Sequence, residues 1–171
     1  MNSLRLDRVN ENSPYRILYR EGHEGEYYFR TDYAIEFKIS ITTDYSIIPS
    51  GAYTLDIINA GNKPSPGDPK FRLTLVAIIE EFFRQNNDVM LYLTETGDGR
   101  QAMRNRLFIR WFNTYEHRDR YVIRAAEGRM EGQLNFMALF SRTDNPRLQQ
   151  ALDEFDETVF LLFDPPAASH D

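Results

Sequence analysis

The segment "GDGRQAMRNRLFIRWF", Gly97 to Phe112, sets Arg100 and Arg104 four residues apart, with Gln101 and Asp98 beside them. On a helix that spacing stacks two guanidinium groups one turn apart, where together they can hold a carboxylate or a phosphate. At about 100° per residue Arg104 lies about 40° from Arg100, and Leu107, Trp111, Tyr115 and Phe108 all fall within about 80° of it. Both arginines are therefore expected on the apolar stripe of the helix, while Arg106 and Arg110 fall off it and face water. A positive charge in the first turn opposes the helix dipole at a cost of about 0.3–1 kcal/mol. Burying an unpaired guanidinium costs several kcal/mol more, so a partner is required. One solution is an internal carboxylate such as Asp98, Asp56, Glu80 or Glu81, with the arginine stems laid over aromatic rings. The other is a small anion or the acidic group of a partner. The candidate binding residues are Arg100, Gln101, Arg104, Asp98 and Trp111; no residue stands out as catalytic.

Other chemistries find less support. His23, His117 and His170 are isolated, and none has a second His at metal-ligand spacing. Cysteine is absent, which removes disulfides, thiolate metal sites and thiol nucleophiles together. There is no G-x-S-x-G, no P-loop and no dinucleotide fingerprint, so no metal and no cofactor is expected. The net charge of −6 argues against non-specific nucleic-acid binding by the whole molecule. That charge is uneven. Residues 98–129 hold eight arginines against four acids, whereas from Gln150 onward there are six acids and no Lys or Arg. The two regions can neutralise each other within one molecule or across a dimer. The interleaved "RNRLFIRWF" could also serve as a stacking platform for nucleic acid, although a helix with arginines on its wet face looks the same.

The elements that must carry these residues follow from periodicity. Residues 1–13 are polar and are expected to form a loose arm. "YRILYR" and "EYYFRT" flank the turn "EGHEG". "AIEFKISITT" alternates, with Ile35, Phe37, Ile39 and Ile41 on one face, and "AYTLDIIN" follows in the same manner. After the loop "AGNKPSPGDP", Asp68 as cap and Pro69 as first residue predict a helix to about Asn86, with Phe71, Leu75, Ile78, Ile79, Phe82 and Phe83 as its stripe. "VMLYL" reads as a strand covered on both faces. The arginine helix then runs to about Glu116. "RYVIRAA" and "QLNFMALFS" form a hairpin through "EGRMEG". A last helix starts from Asn145 and Pro146 with Leu148, Leu152, Phe155, Val159 and Leu162 in register, and 164–171 form a frayed tail. The order β-β-β-β-α-β-α-β-β-α predicts one α+β domain over 14–163, with a mostly antiparallel sheet and three helices.

Two resemblances attach to these residues. The strand–helix order, with "VMLYLTETGDGRQAMRNRLFIRWF" at its middle, resembles the second half of the GNAT N-acetyltransferase fold. That likeness implies an acyl-CoA site at the turn into the first long helix and makes Tyr115 a candidate general acid. The equivalent turn here reads "SPGDPKFRL": Asp68 brings a negative charge and Pro69 lacks an N–H, and both disfavour a phosphate. The combination of "DPKFRLTLVAIIEEFF", "GDGRQAMRNRLFIRWF" and "RTDNP" is similar to a domain-of-unknown-function family found mainly in Bacteroidetes. Its D-x-R-Q-x-x-R-x-x-x-F-x-x-W-F helix falls on Asp98, Arg100, Gln101, Arg104, Phe108, Trp111 and Phe112, and the likeness extends from about Tyr27 to Phe155. It implies a single domain and no particular reaction.

The N-terminal segment lacks the apolar core of a signal peptide, and apolar runs such as "VFLLF" are far too short to span a membrane. A cytoplasmic, non-catalytic binding or regulatory protein is expected, with a protein partner or a homodimer, or an acidic group or small anion, as its ligand. A divergent acyltransferase and a nucleic-acid-binding protein are the alternatives. An exposed apolar patch on the last helix would favour a dimer or protein partner.

Overall fold

A computed structural model describes residues 1–94 and 101–165, with residues 101–105 given through their backbone alone. The described residues form an α+β structure of seven strands and four α-helices. They gather into two compact units, one of residues 1–43 and 53–88, the other of residues 44–52 and 89 onward.

The first unit contains α1 (Leu6–Asn12), β1 (Leu18–Tyr19), β2 (Glu26–Arg30), β3 (Glu36–Asp44), β4 (Ala52–Ala60) and α2 (Pro69–Gln85), with strand order β1-β2-β3-β4. Strands β2 and β3 pair antiparallel with Phe29 opposite Phe37 and Tyr27 opposite Ile39. As the alternation requires, Ile35, Phe37, Ile39 and Ile41 are all buried. Helix α2 lays Phe71 against Phe37 (4.6 Å between centroids) and Phe29 (5.8 Å). Asp68 caps it by accepting from the Lys70 N–H at 3.0 Å, and Pro69 occupies the first turn.

Residues 1–13 correct the expected loose arm, and they supply the helix beyond the three expected. Leu4 and Val9 are buried. Asn2 exchanges two hydrogen bonds with the Asn86 side chain, at 2.8 and 3.1 Å, and the Arg5 N–H donates to Glu81 at 3.4 Å. Glu81 is fully buried, and its carboxylate also accepts from Arg84 and, at 2.8 Å, from Gln85. A buried carboxylate needs such donors, and here they fasten α1 to α2.

The second unit holds β5 (Met90–Thr94), α3 (Gln101–Thr114), β6 (Tyr121–Met130), β7 (Gln133–Arg142) and α4 (Leu148–Leu162), in strand order β5-β7-β6. Both pairings are antiparallel. The β6–β7 turn places Glu131 at φ 51° and Gly132 at φ 78°, the left-handed pair that a tight hairpin needs. The two helices take opposite faces. Phe108 of α3 stacks on Tyr92 at 4.4 Å and meets Phe140 edge-on at 5.0 Å. Ala151, Leu152 and Phe155 of α4 pack with Leu91, Met137 and Leu139 on the other side. Residues 44–52 complete that core with Ile47, Ile48 and Ala52, and are fixed to α4 through Thr158 to the Ile47 carbonyl (2.7 Å) and the Ser50 hydroxyl to Glu154 (2.5 Å). Helix α4 begins at Leu148, two residues later than the Asn145–Pro146 start implied. The Asn145 carboxamide instead accepts from the Arg147 N–H at 2.9 Å, forming a turn ahead of the helix.

Candidate functional site

Asp98 and Arg100 lie outside the described residues. Gln101 and Arg104 occupy the first turn of α3, and Trp111 sits half-buried near its end. The described side chains shift the apolar line of this helix. Phe108 is buried and Phe112 half-buried, whereas Leu107 is 41 % exposed. The flat Phe108 ring slots between Tyr92 and Phe140, and that stacking turns Leu107 outward. Position 104 stands one turn ahead of Phe108 along the helix. Arg106 and Arg110 are exposed, as the wheel required. Glu81, one of the carboxylates named as a possible partner, is already taken by Arg84, Gln85 and the Arg5 N–H. Tyr115, the candidate acid, lies 6.2 Å from Tyr121 and 5.6 Å from His117, ring to ring.

The N-terminus of α2, where the GNAT likeness implies a phosphate, is filled by the protein's own groups. One oxygen of Asp68 accepts from the Lys70 N–H and the other from the Tyr15 hydroxyl at 2.6 Å. Tyr15 in turn accepts from the Asp32 N–H at 3.2 Å, and Lys70 pairs with Asp32 at 2.7 Å. Burial, with the Asp68 carboxylate behind it, pushes the Tyr15 phenol up to about 12 from its ordinary 10.0. The native state thus holds this proton more tightly than the unfolded chain does. The stabilisation is complete below pH 10.0 and is lost as pH rises toward about 12. Chemical denaturation at a series of alkaline pH values should show that decline, and Tyr15→Phe should make it shallower.

His23, isolated in sequence, meets a carboxylate across a turn. Its Nδ1 is 3.1 Å from Glu26, which also accepts from the Tyr28 hydroxyl at 2.7 Å and from Lys38 at 3.4 Å. The Tyr28 hydrogen bond holds the Glu26 carboxyl below its usual range. Among the described residues no group of three or more His, Asp or Glu is placed to hold a metal ion.

The second unit carries the feature that the helical repeat did not isolate. Phe160 is 84 % exposed and Leu161 78 % exposed at the end of α4. Leu162, expected on the stripe, is also open, because the helix ends there and Phe163 takes the covering role by lying over Gly128 of β6. The signal was present in "VFLLF": an apolar run longer than one face of a helix can bury. One turn before Phe160, Asp156 pairs with Arg124 of β6 at 2.5 Å, so at this point the acidic end and the basic middle neutralise each other within the molecule.

A model of a protein family, described as a family of unknown function (DUF6169), matches residues 67–157. No curated protein and no solved structure matches the chain. No helix among the described residues is long and apolar enough to cross a membrane.

Proposed function

We propose that the chain, which belongs to that family of unknown function by a match over more than half of it, is a non-catalytic binding module acting through protein contacts. The observation that carries this reading is the pair Phe160 and Leu161, two adjacent large apolar side chains left almost bare at the end of a well-packed helix. Leaving them in water forgoes about 1.5–3 kcal/mol of burial each, which a docked protein surface would recover. The divergent acyltransferase has less support. A CoA pyrophosphate needs free N–H groups at the start of α2, and the Asp68 carboxylate and Pro69 stand there instead. A small anion held at the start of α3 by Arg100, Gln101 and Arg104 remains part of the proposal as a second ligand.

A thermal-shift screen with acetyl-CoA, oligonucleotides and small anions tests this reading, run on the wild type and on Arg104→Ala. Neither acetyl-CoA nor oligonucleotide is expected to move the melting temperature. A CoA-dependent rise would overturn the non-catalytic reading, and an oligonucleotide-dependent rise would favour nucleic acid. A phosphate- or sulfate-dependent rise that Arg104→Ala abolishes would assign the anion to the α3 arginines.

A further inference from the structure

Helices α3 and α4 each turn a crest to solvent, and the two crests are opposite in kind. On α3, Leu107, Arg110 and Thr114 are all exposed. At about 100° per residue they fall within about 60° of one another. On α4, Asp153, Glu157 and Phe160 are all exposed and share an arc of about the same width. The first crest steps by three residues and then four, the second by four and then three. Laid antiparallel, the two match at every step: Phe160 meets Leu107, Glu157 meets Arg110 and Asp153 meets Thr114. Alternating steps of three and four are the spacing at which helices interlock.

Charge selects the same pairing. Residues 98–129 hold eight arginines against four acids, and from Gln150 onward there are six acids and no Lys or Arg. The Asp156–Arg124 pair neutralises one of each within the molecule. Among the described residues nothing pairs with Arg106, Arg110 or Glu157, and Asp153 accepts only from Gln149, at 2.9 Å. Helix α4 also has no base in its last turn, where the final carbonyls of a helix favour a cation. In the antiparallel alignment Arg106, one turn before Arg110, arrives at that end of α4.

We propose that the crest of α4 docks antiparallel on the crest of α3 of a second copy of the chain. The proposal rests on the protein-contact reading and deepens it by naming the partner and both surfaces. The bare Phe160 ring lies over Leu107, and the Glu157–Arg110 pair beside it fixes the register. Helices α3 and α4 take opposite faces of their sheet, so a joint leaves α3 of one copy and α4 of the other unused. Copies therefore add head to tail, and the assembly grows past the dimer as concentration rises.

Sedimentation velocity on the whole chain, up to high micromolar concentration, tests the proposal, and the wild type is expected to exceed twice 20.1 kDa. Arg110→Glu spoils only the α3 crest and Phe160→Glu only the α4 crest. Both side chains are exposed, so circular dichroism should stay native. Each variant alone should associate at least about tenfold more weakly. Mixed in equal amounts, the two still offer one intact crest each, and a complex of twice 20.1 kDa that grows no further is expected. If Phe160→Glu fails to fold, Glu157→Arg takes its place. Glu157→Arg combined with Arg110→Glu in one chain should restore association, with the charges of the pair exchanged. A wild type that is monomeric at every concentration, an association indifferent to the variants, or a mixture no heavier than its components would overturn the inference. The protein-contact reading falls instead to a CoA-dependent melting shift, which has no bearing on the mass measurement.

Discussion

Phe155→Ala lowers the stability of the second unit by about 3–5 kcal/mol, the cost of emptying a phenyl site in a packed interior. Phe155 is fully buried, and its surroundings come from three separate stretches of chain: Ile47, Ile48 and Ala52; Val89 and Leu91; and Met137 and Leu139. No single neighbour can move in to fill the void, because each is fixed by its own strand or by the bonds of Thr158 and Glu154 to residues 47 and 50. The loss takes a fifth or more of the stability of an ordinary domain, about 5–15 kcal/mol. It is read as a fall in the urea midpoint at unchanged slope. Phe155→Leu, which retains most of the volume, should lose well under half as much.

Gly25→Ala costs the first unit about 2–4 kcal/mol. Gly25 sits at φ +76°, where a side chain already costs about 1–2 kcal/mol. Its added Cβ would stand 2.5 Å from the Ile41 carbonyl oxygen, a backbone atom that cannot rotate aside. Relieving the clash must lengthen the Ile41 N–H bond to the Gly25 carbonyl, now 2.8 Å, and so pull the β2–β3 ladder at its end. Gly22 provides the control: its φ is +81°, but a Cβ there meets nothing within 4 Å. Gly22→Ala should therefore show the backbone cost alone. If the two variants have equal denaturation midpoints, the close approach to Ile41 is not what selects glycine at position 25.

What could be read from the sequence was local. Asp68 followed by Pro69 announces a helix start because cap and first residue act within one turn, and α2 begins there. The alternation of Ile35, Phe37, Ile39 and Ile41 fixes a buried face by geometry alone. What escaped depends on distant partners. Helix α1 is seven residues long, too short to show a period, and its fastenings to Glu81 and Asn86 lie more than seventy residues away. The wheel puts Leu107 on the α3 stripe because it weighs every apolar residue alike, whereas the stacking of Tyr92 on Phe108 decides which one turns in. Of the candidate site, Trp111 and the first-turn positions of Gln101 and Arg104 were placed on the expected helix. The outermost place of β6 among the described strands follows from strand order, which no local pattern encodes.

The chain enters the second unit twice, first through residues 44–52 and again at Val89. During synthesis, Ile47 and Ile48 leave the ribosome long before anything exists for them to pack on. The anchors on α4 that hold Ile47 and Ser50 by hydrogen bonds lie 111 and 104 residues further along. The nascent second unit cannot close until α4 has emerged, so it folds late and as a whole, with the slow, non-local character that such distant contacts impose. The same interleaving rules out dividing the gene at a single point. A segment cut to residues 67–157 would leave Ile47, Ile48 and Ala52 behind and expose the underside of Phe155.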